Sequence, residues 1–571
     1  GQGALKRVER PRHRLVEALK SRRVAEIRHG PARLPEHGRD PSLAASDVGR
    51  IEPGPIHAGH RDHVSAGIHD RATEGDAETV GGLLGGGKRG FGPQCAGADA
   101  LADAHGHMRN FGMMAEMVNL RHAQSYEEVV ELVRERSQAT PVGQWIQGRG
   151  WNQENWSDKS LPTHALLSEA VPNHPVWLVR VDAHAGVANA NALRISGITG
   201  STPNPAGGIV GKVKVKDQPN GLFLDKAMDL VRSHIPDITV EKSKELLLAA
   251  QELCLAVGLT QVHDAGIDGT TLQAYRELVA EGSLKIRVYA MLARDYFDQT
   301  DVSPIQEGLF SCRSVKIVSD GALGSRGAAL LAPYSDAPYE SGFMLLSRDD
   351  FDATVGRALA SGFQVNTHAI GDMANRVSLD VLEAALRKHG VSDHRSRIEH
   401  AQHLHMDDIP RFSKLGVIAS IQPTHCTSDM FMADSRLGPQ RTSGAYPWRK
   451  FLDSGARIVS GSDFPVESNN PLWGLYSALT RQNHDGQPSD GWRPEERLTL
   501  YEALRSFTRD AAYASFQEHD LGALSLGMLA DLTVLDTDIA NEPPQALLDA
   551  KVMATVVNGE IVYKHNLTPS L

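Results

Sequence analysis

The 571-residue chain has only four cysteines, Cys95, Cys254, Cys312 and Cys426, and no two of them form a CxxC pair. Such scarcity argues against a disulfide framework and against a thiolate metal site. No apolar run approaches the roughly 18–20 residues of a membrane span, so no membrane partner is expected. An excess of positive charge is missing too. The formal net charge is −11, which argues against nucleic acid as a main partner. The opening "GQGALKRVERPRHR" has no apolar h-region, so no signal peptide is readable and a cytoplasmic location is expected.

Aromatic residues are also missing from one region. Residues 1–100 hold one, Phe91, while the other 471 hold 31. The same hundred contain 17 Gly and 7 His, and Arg outnumbers Lys 13 to 3. The run "GGLLGGGKRGFG" is not followed by GK[ST] and makes a poor phosphate loop. Text of this kind struggles to build a core, so residues 1–100 are expected to be an aberrant, poorly ordered segment.

From Leu101 onward short apolar, β-branched runs alternate with helical patterns, which favours an α/β architecture with parallel strands. Eight runs read as strands: "LADAHGH", "VGLTQVHDAG", "LKIRVYAML", "SVKIVSDG", "GFQVNTHAIGD", "SRIEHAQ", "GVIASIQP" and "ARIVSGSDFP". Helical patterns lie between them, among them Ser125–Gln138, opened by a capping serine, and Val240–Gly258, closed by a glycine. Eight strand–helix units predict a (β/α)8 TIM-type barrel over residues 101–515, with functional side chains at the C-terminal strand ends. A long insert, about 111–240, follows the first strand, and insertions there shape substrate pockets. Its Trp145, Trp151 and Trp156 are open to two readings, a pocket wall or core packing. Residues 516–571 read as part of a small β-domain.

Several of the eight runs end in residues able to do chemistry. His105 and His107 are two apart, and in a strand such residues point to one side, so two imidazoles can share a divalent ion. Lys316, His368, His400 and Asp463 end later runs. Each has an ordinary structural explanation when taken singly. Their joint order, HxH, Lys, His, His, Asp, is harder to explain that way. Neutral imidazoles and carboxylate oxygens suit Zn²⁺ and similar ions. A lysine joins such a set once CO₂ converts its amine to a carbamate.

These pieces resemble the amidohydrolase superfamily, and more narrowly the YtcJ-like, amidohydrolase 3 group that includes N-substituted formamide deformylase. The matching text is "DAHGH", "VDAHAGVANANAL", "VHDAG", "KIVSDGALGSRGAAL", "THAIGD", "RIEHAQ", "SGSDFPVESNNPLWGLYSA" and "LGALSLGMLADLTVLD", spread over about residues 101–565. The resemblance implies that His105, His107 and Asp463 bind one metal, that His368 and His400 bind a second, and that carboxylated Lys316 bridges them. It implies one or two divalent ions, zinc first, a metal-activated hydroxide as nucleophile, and Asp463 as the catalytic proton carrier. His184 falls at a position that contacts substrate. His263 is expected behind the ligands rather than among them.

The implied function is hydrolysis of a non-peptide carbon–nitrogen bond, in an amide, an N-substituted formamide or a similar small-molecule substrate. Two alternatives stand beside it: an aminohydrolase (deaminase) of a heterocycle, and a non-catalytic metal-binding homologue. Deaminases carry HAxE at the fifth strand, whereas Gly371 stands where that glutamate belongs. Self-association into a homo-oligomer is left open. The first strands of the small β-domain, a β-sandwich in the family, are not legible in residues 1–100. The C-terminal strands near Leu532–Val534 and Val556–Val562 are therefore expected to keep an open edge.

Overall fold

The structure, a computed structural model, describes residues 96–153, 156–180, 185–205, 208–213 and 218–565. Eight parallel strands follow one another around a nearly closed barrel. They are β1 (Leu101–Gly106), β2 (Leu259–Ile267), β3 (Arg287–Ala293), β4 (Phe310–Val318), β5 (Gln364–Ala369), β6 (Arg397–His400), β7 (Ile418–Ile421) and β8 (Ile458–Ser460). All eight coincide with apolar runs legible in the sequence. Between the first and last strands two backbone bonds complete the circle, Asp463 N to His105 O at 2.7 Å and His107 N to Phe464 O at 2.8 Å. The seam of the barrel thus runs through residues proposed as ligands.

Helices surround the strands and begin where polar side chains can cap them. Ser125, Thr239, Asp268 and Ser347 each accept a hydrogen bond from the backbone N–H three residues on. The helix Tyr126–Ala139 starts at its capping serine, and Val240–Ala256 is followed by Gly258 at φ 87°. Val240–Ala256 and the helices after it pack on the barrel through a continuous apolar layer that includes Leu247, Tyr275, Phe351, Leu382 and Phe412, whereas Tyr126–Ala139 buries Val129 and Val133 in the core of the insert.

The insert after β1 has a sheet and apolar clusters of its own. Six strands, from Val118–Asn119 to Pro219–Asp225, form a mixed sheet. Trp151 and Trp156 are buried in its core, and each indole N–H is spent on a backbone carbonyl, Leu178 O at 3.2 Å and Ala123 O at 2.9 Å. Trp145 packs on the neighbouring apolar cluster. The core reading of the three tryptophans therefore replaces the pocket-wall reading.

The small β-domain departs from expectation at its edge. Ala96–Asp99 pairs antiparallel with Leu532–Leu535, which pairs with Val552–Val557 and then Glu560–Lys564. The Leu532–Leu535 edge is thus covered, by a strand that lies inside the hundred residues set apart by composition. Backbone pairing needs no aromatic payload, so composition could not reveal this short strand. Residues 1–95 lie outside the described residues. No helix among the described residues is long and apolar enough to cross a membrane.

Candidate metal centre

The barrel brings six of the seven residues singled out in the sequence to one end. The exception, His184, lies outside the described residues. One ligand atom from each of His105, His400 and Asp463 falls within 4.8 Å of the others. The His368 ring lies 4.4 Å from that of His400, and the His105 ring 5.0 Å from it on another side. Lys316 Nζ is 3.0 Å from His105 Nε2. His107 Nε2 is 3.1 Å from Asp463 Oδ1.

Each imidazole is oriented from behind. His105 Nδ1 donates to Glu399 Oε2 at 2.5 Å, His107 Nδ1 donates to the Ala265 carbonyl at 2.8 Å, and His400 Nδ1 donates to Gln422 Oε1 at 2.7 Å. Since these partners only accept, the Nδ1 proton is committed in each ring and the Nε2 lone pair is turned into the site. A lone pair on His107 Nε2 and a carboxylate oxygen 3.1 Å away repel unless a proton or a cation lies between them. Asp463 Oδ1 and His368 Nε2 are buried without a hydrogen-bond partner. These two orphaned donor atoms, a neutral nitrogen and a carboxylate oxygen, are of the kind that fits a divalent ion of the zinc type.

Electrostatics point the same way. Burial pushes His105 down to about 4 and His368 to about 3, and it takes His400 well below the usual histidine range. All three are neutral at physiological pH, as ligands must be. Burial also lowers Lys316, whose amine is drawn toward its neutral, nucleophilic form. Burial alone would raise Asp463, but His107 at 3.1 Å and the other imidazoles around it hold its carboxyl well below the usual range. His400 and Asp463 both sit at positive φ, 75° and 58°. Left-handed backbone at non-glycine residues is tolerated where the surroundings over-determine it, as they do at functional sites.

Supporting residues hold the strand ends in place. Asp103 accepts from Ser462 Oγ at 2.6 Å and from His105 N at 3.0 Å, tying β1 to the turn after β8. Asp320 accepts from the backbone N–H groups of Ala329, Ile370 and Gly371 at 2.9–3.0 Å, which fastens the "SDGALGSRGAAL" loop to the end of β5. Burial lifts each of these carboxyls to about 7. His263 lies behind the candidate ligands, where its Nδ1 accepts from Arg397 Nη1 at 2.9 Å.

A model of the Amidohydrolase family matches residues 100–563. The chain belongs to the amidohydrolase family. Among its relatives, the chain is 34% identical over 482 residues to Protein LONG AFTER FAR-RED 3 of Arabidopsis thaliana, covering 81% of each. It is 31% identical to the putative amidohydrolase YtcJ of Bacillus subtilis, covering 81% of this chain and 88% of that one. It is 27% identical to the N-substituted formamide deformylase of Arthrobacter pascens, covering 81% and 87%. A solved structure, an uncharacterized metal-dependent hydrolase from Pyrococcus horikoshii, superposes with a TM-score of 0.66 at 28% identity, covering 78% of this chain and 86% of that one. These likenesses place the chain in the YtcJ-like group of amidohydrolases.

Sequence reasoning missed several residues of this amidohydrolase's site. His425, in the first turn of the helix that follows β7, has its Nε2 3.8 Å from Asp463 Oδ2. The run "GVIASIQP" reads as a plain strand, and its chemistry begins just beyond, at "THC". The orienting role of Glu399 was likewise hidden, although "RIEHAQ" places it beside His400. The absence of an HAxE glutamate has a steric counterpart. A Cβ on Gly371 would lie 2.0 Å from the Ala329 carbonyl oxygen, so no side chain fits there without moving backbone.

Proposed function

We propose that this protein is a metal-dependent hydrolase of non-peptide carbon–nitrogen bonds, acting on an amide, an N-substituted formamide or a closely related small molecule. The observation that carries the reading is the set of Nε2 lone pairs of His105, His107 and His400, each with its Nδ1 proton tied back, converging with Asp463. A divalent ion held there supplies Lewis acidity, polarising the substrate carbonyl and bringing the pKa of water toward neutrality. Asp463, ionised at neutral pH, takes the proton of the attacking water at its carboxylate and returns it to the departing nitrogen. An amine leaves poorly as an anion, which is why cleavage of a C–N bond needs a carboxylate in that place. The kinship with a named formamide deformylase supports this bond type. The blocked position at Gly371 weighs against a deaminase, which would place its glutamate there.

The same reading makes Lys316 a carbamate. Its neutral amine attacks CO₂, a nitrogen–carbon bond forms, and one proton is released. The resulting anion offsets the charge of the bound metal. Carbon-13 NMR after incubation with labelled bicarbonate should show a protein carbamate that Lys316→Ala lacks, and an identical spectrum from both would refute it.

The main test is metal analysis of the purified protein beside assays on N-substituted formamides, N-acyl amines and cyclic amides. Up to two divalent ions per chain and turnover on one of these classes are expected. The double substitution His105→Ala, His107→Ala should lose both metal and activity, and full occupancy in that variant would sink the assignment.

A further inference from the structure

We propose that His425 is a catalytic residue of this site. Its Nε2–H donates a hydrogen bond to the substrate oxygen that gathers negative charge as the C–N bond is attacked. The inference rests on the hydrolase reading above and adds a residue to it.

Four observations converge on His425. Its Nε2 is buried and has no hydrogen-bond partner, a state that native interiors rarely leave unresolved. That atom faces the site, 3.8 Å from Asp463 Oδ2, while Asp463 Oδ1 faces His105 and His107. The two carboxylate oxygens are thus divided between the ligand side and the His425 side. The ring lies parallel to that of His400, with centroids 6.0 Å apart and planes 8° from parallel. Finally, the turn that carries it is pinned. The His425 carbonyl accepts from Ser428 Oγ at 3.2 Å, and Tyr446 Oη, which donates to Asp429 at 2.8 Å, packs 3.4 Å from the same carbonyl.

A donor held rigid before the reaction is the arrangement that stabilises developing charge, since nothing has to reorganise when the charge appears. His425 also stands apart from the tight donor cluster of His105, His400 and Asp463, whose ligand atoms lie within 4.8 Å of one another. It is placed beside them, where a substrate bound next to Asp463 would meet it. No bond is made or broken at His425; its proton stays on Nε2 throughout.

The test uses the full chain loaded with zinc and methylphosphonate, a tetrahedral anion, as the probe. Metal content is measured first, then methylphosphonate binding by calorimetry, for wild type, His425→Phe and His425→Gln. Phe keeps the stacked ring without the donor, and the Gln amide reaches about as far as Nε2. Expected are equal zinc contents, a loss of methylphosphonate affinity of about 10- to 100-fold in the Phe variant, and partial recovery in the Gln variant. With the active substrate, kcat of the Phe variant should fall about 10²-fold or more. Should the Phe variant fail to fold, His425→Asn, polar but too short to place a donor there, takes its part. Wild-type affinity and turnover in the donorless variant would overturn the proposal. Loss of zinc from it would make His425 a ligand, overturning the proposal while leaving the hydrolase reading intact. A wild type that binds no divalent metal would overturn that reading, and this inference with it.

Discussion

His105 carries one ring proton, and Glu399 decides which nitrogen holds it. Burial alone would raise the Glu399 carboxyl, but Arg397 beside it at 2.7 Å and the His105 hydrogen bond keep it well below the usual range. A carboxylate that is charged at every physiological pH can only accept, so His105 Nε2 stays a lone pair. Glu399→Gln preserves size but can turn an N–H toward the ring and select the wrong tautomer. Metal affinity should fall about 10- to 100-fold, read by competition with a chromophoric chelator, and an unchanged affinity would show that the ring is oriented by something else. Asp463→Asn removes the proposed proton carrier. It should lower kcat by about 10²–10⁴-fold while substrate still binds. Turnover close to wild type at full metal occupancy would assign the proton to another group.

Two glycines show how differently one residue type can serve an element. The helix Met108–Glu116, which begins just after the HxH pair, crosses Val240–Ala256 at Gly112. A Cβ there would lie 2.0 Å from the Leu246 carbonyl oxygen. Gly112→Ala must therefore push the helices apart, at about 1–3 kcal/mol. Gly356 lies in the helix Arg348–Ala360, and its Cβ would meet only His389 Nε2, at an ordinary 3.4 Å. Gly356→Ala should stabilise by up to about 1 kcal/mol through helix propensity. The two variants should shift the thermal unfolding midpoint in opposite directions. A fall in both would mean that packing around Gly356 is tighter than the structure indicates.

At the scale of the whole molecule, the small sheet and the barrel are joined by buried polar contacts. Arg287 at the start of β3 donates twice to Asp531, at 2.6 and 3.0 Å, and both side chains are buried. Asp531 also accepts from Asn558 N at 2.7 Å, while Thr533 and Thr555 donate to the carbonyls of Gly258 and Leu255, each at 2.7 Å. Arg287→Ala strands a carboxylate in the interior, a change that costs about 3–5 kcal/mol. Earlier thermal unfolding is expected, with metal content and kcat at low temperature unchanged because Arg287 lies at the end of β3 opposite the site. A parallel loss of metal would show that the small sheet bears on the site itself.

The barrel was legible because its information is local. A short apolar run with His, Lys or Asp near its end carries both its strand character and the position of its functional residue, and the His105–His107 spacing places two rings on one side of a strand whatever surrounds them. Composition likewise singled out the first hundred residues, but not the pairing of Ala96–Asp99, because a backbone ladder is specified by its partner as much as by its own residues. The aim of Glu399 at His105, 294 residues away, was decided only when β6 and β1 met inside the closed barrel. The same holds for His425, which reads in sequence as an ordinary helix residue and turns toward Asp463 only because β7 and β8 are neighbours. The tryptophans of the insert went the other way, offering an apolar surface that could serve a pocket or a core until the six-stranded sheet enclosed it. Residue types and spacings determine which chemistry this chain can carry; the closing of the ring determines which lone pairs face one another, and a metal site consists of that convergence.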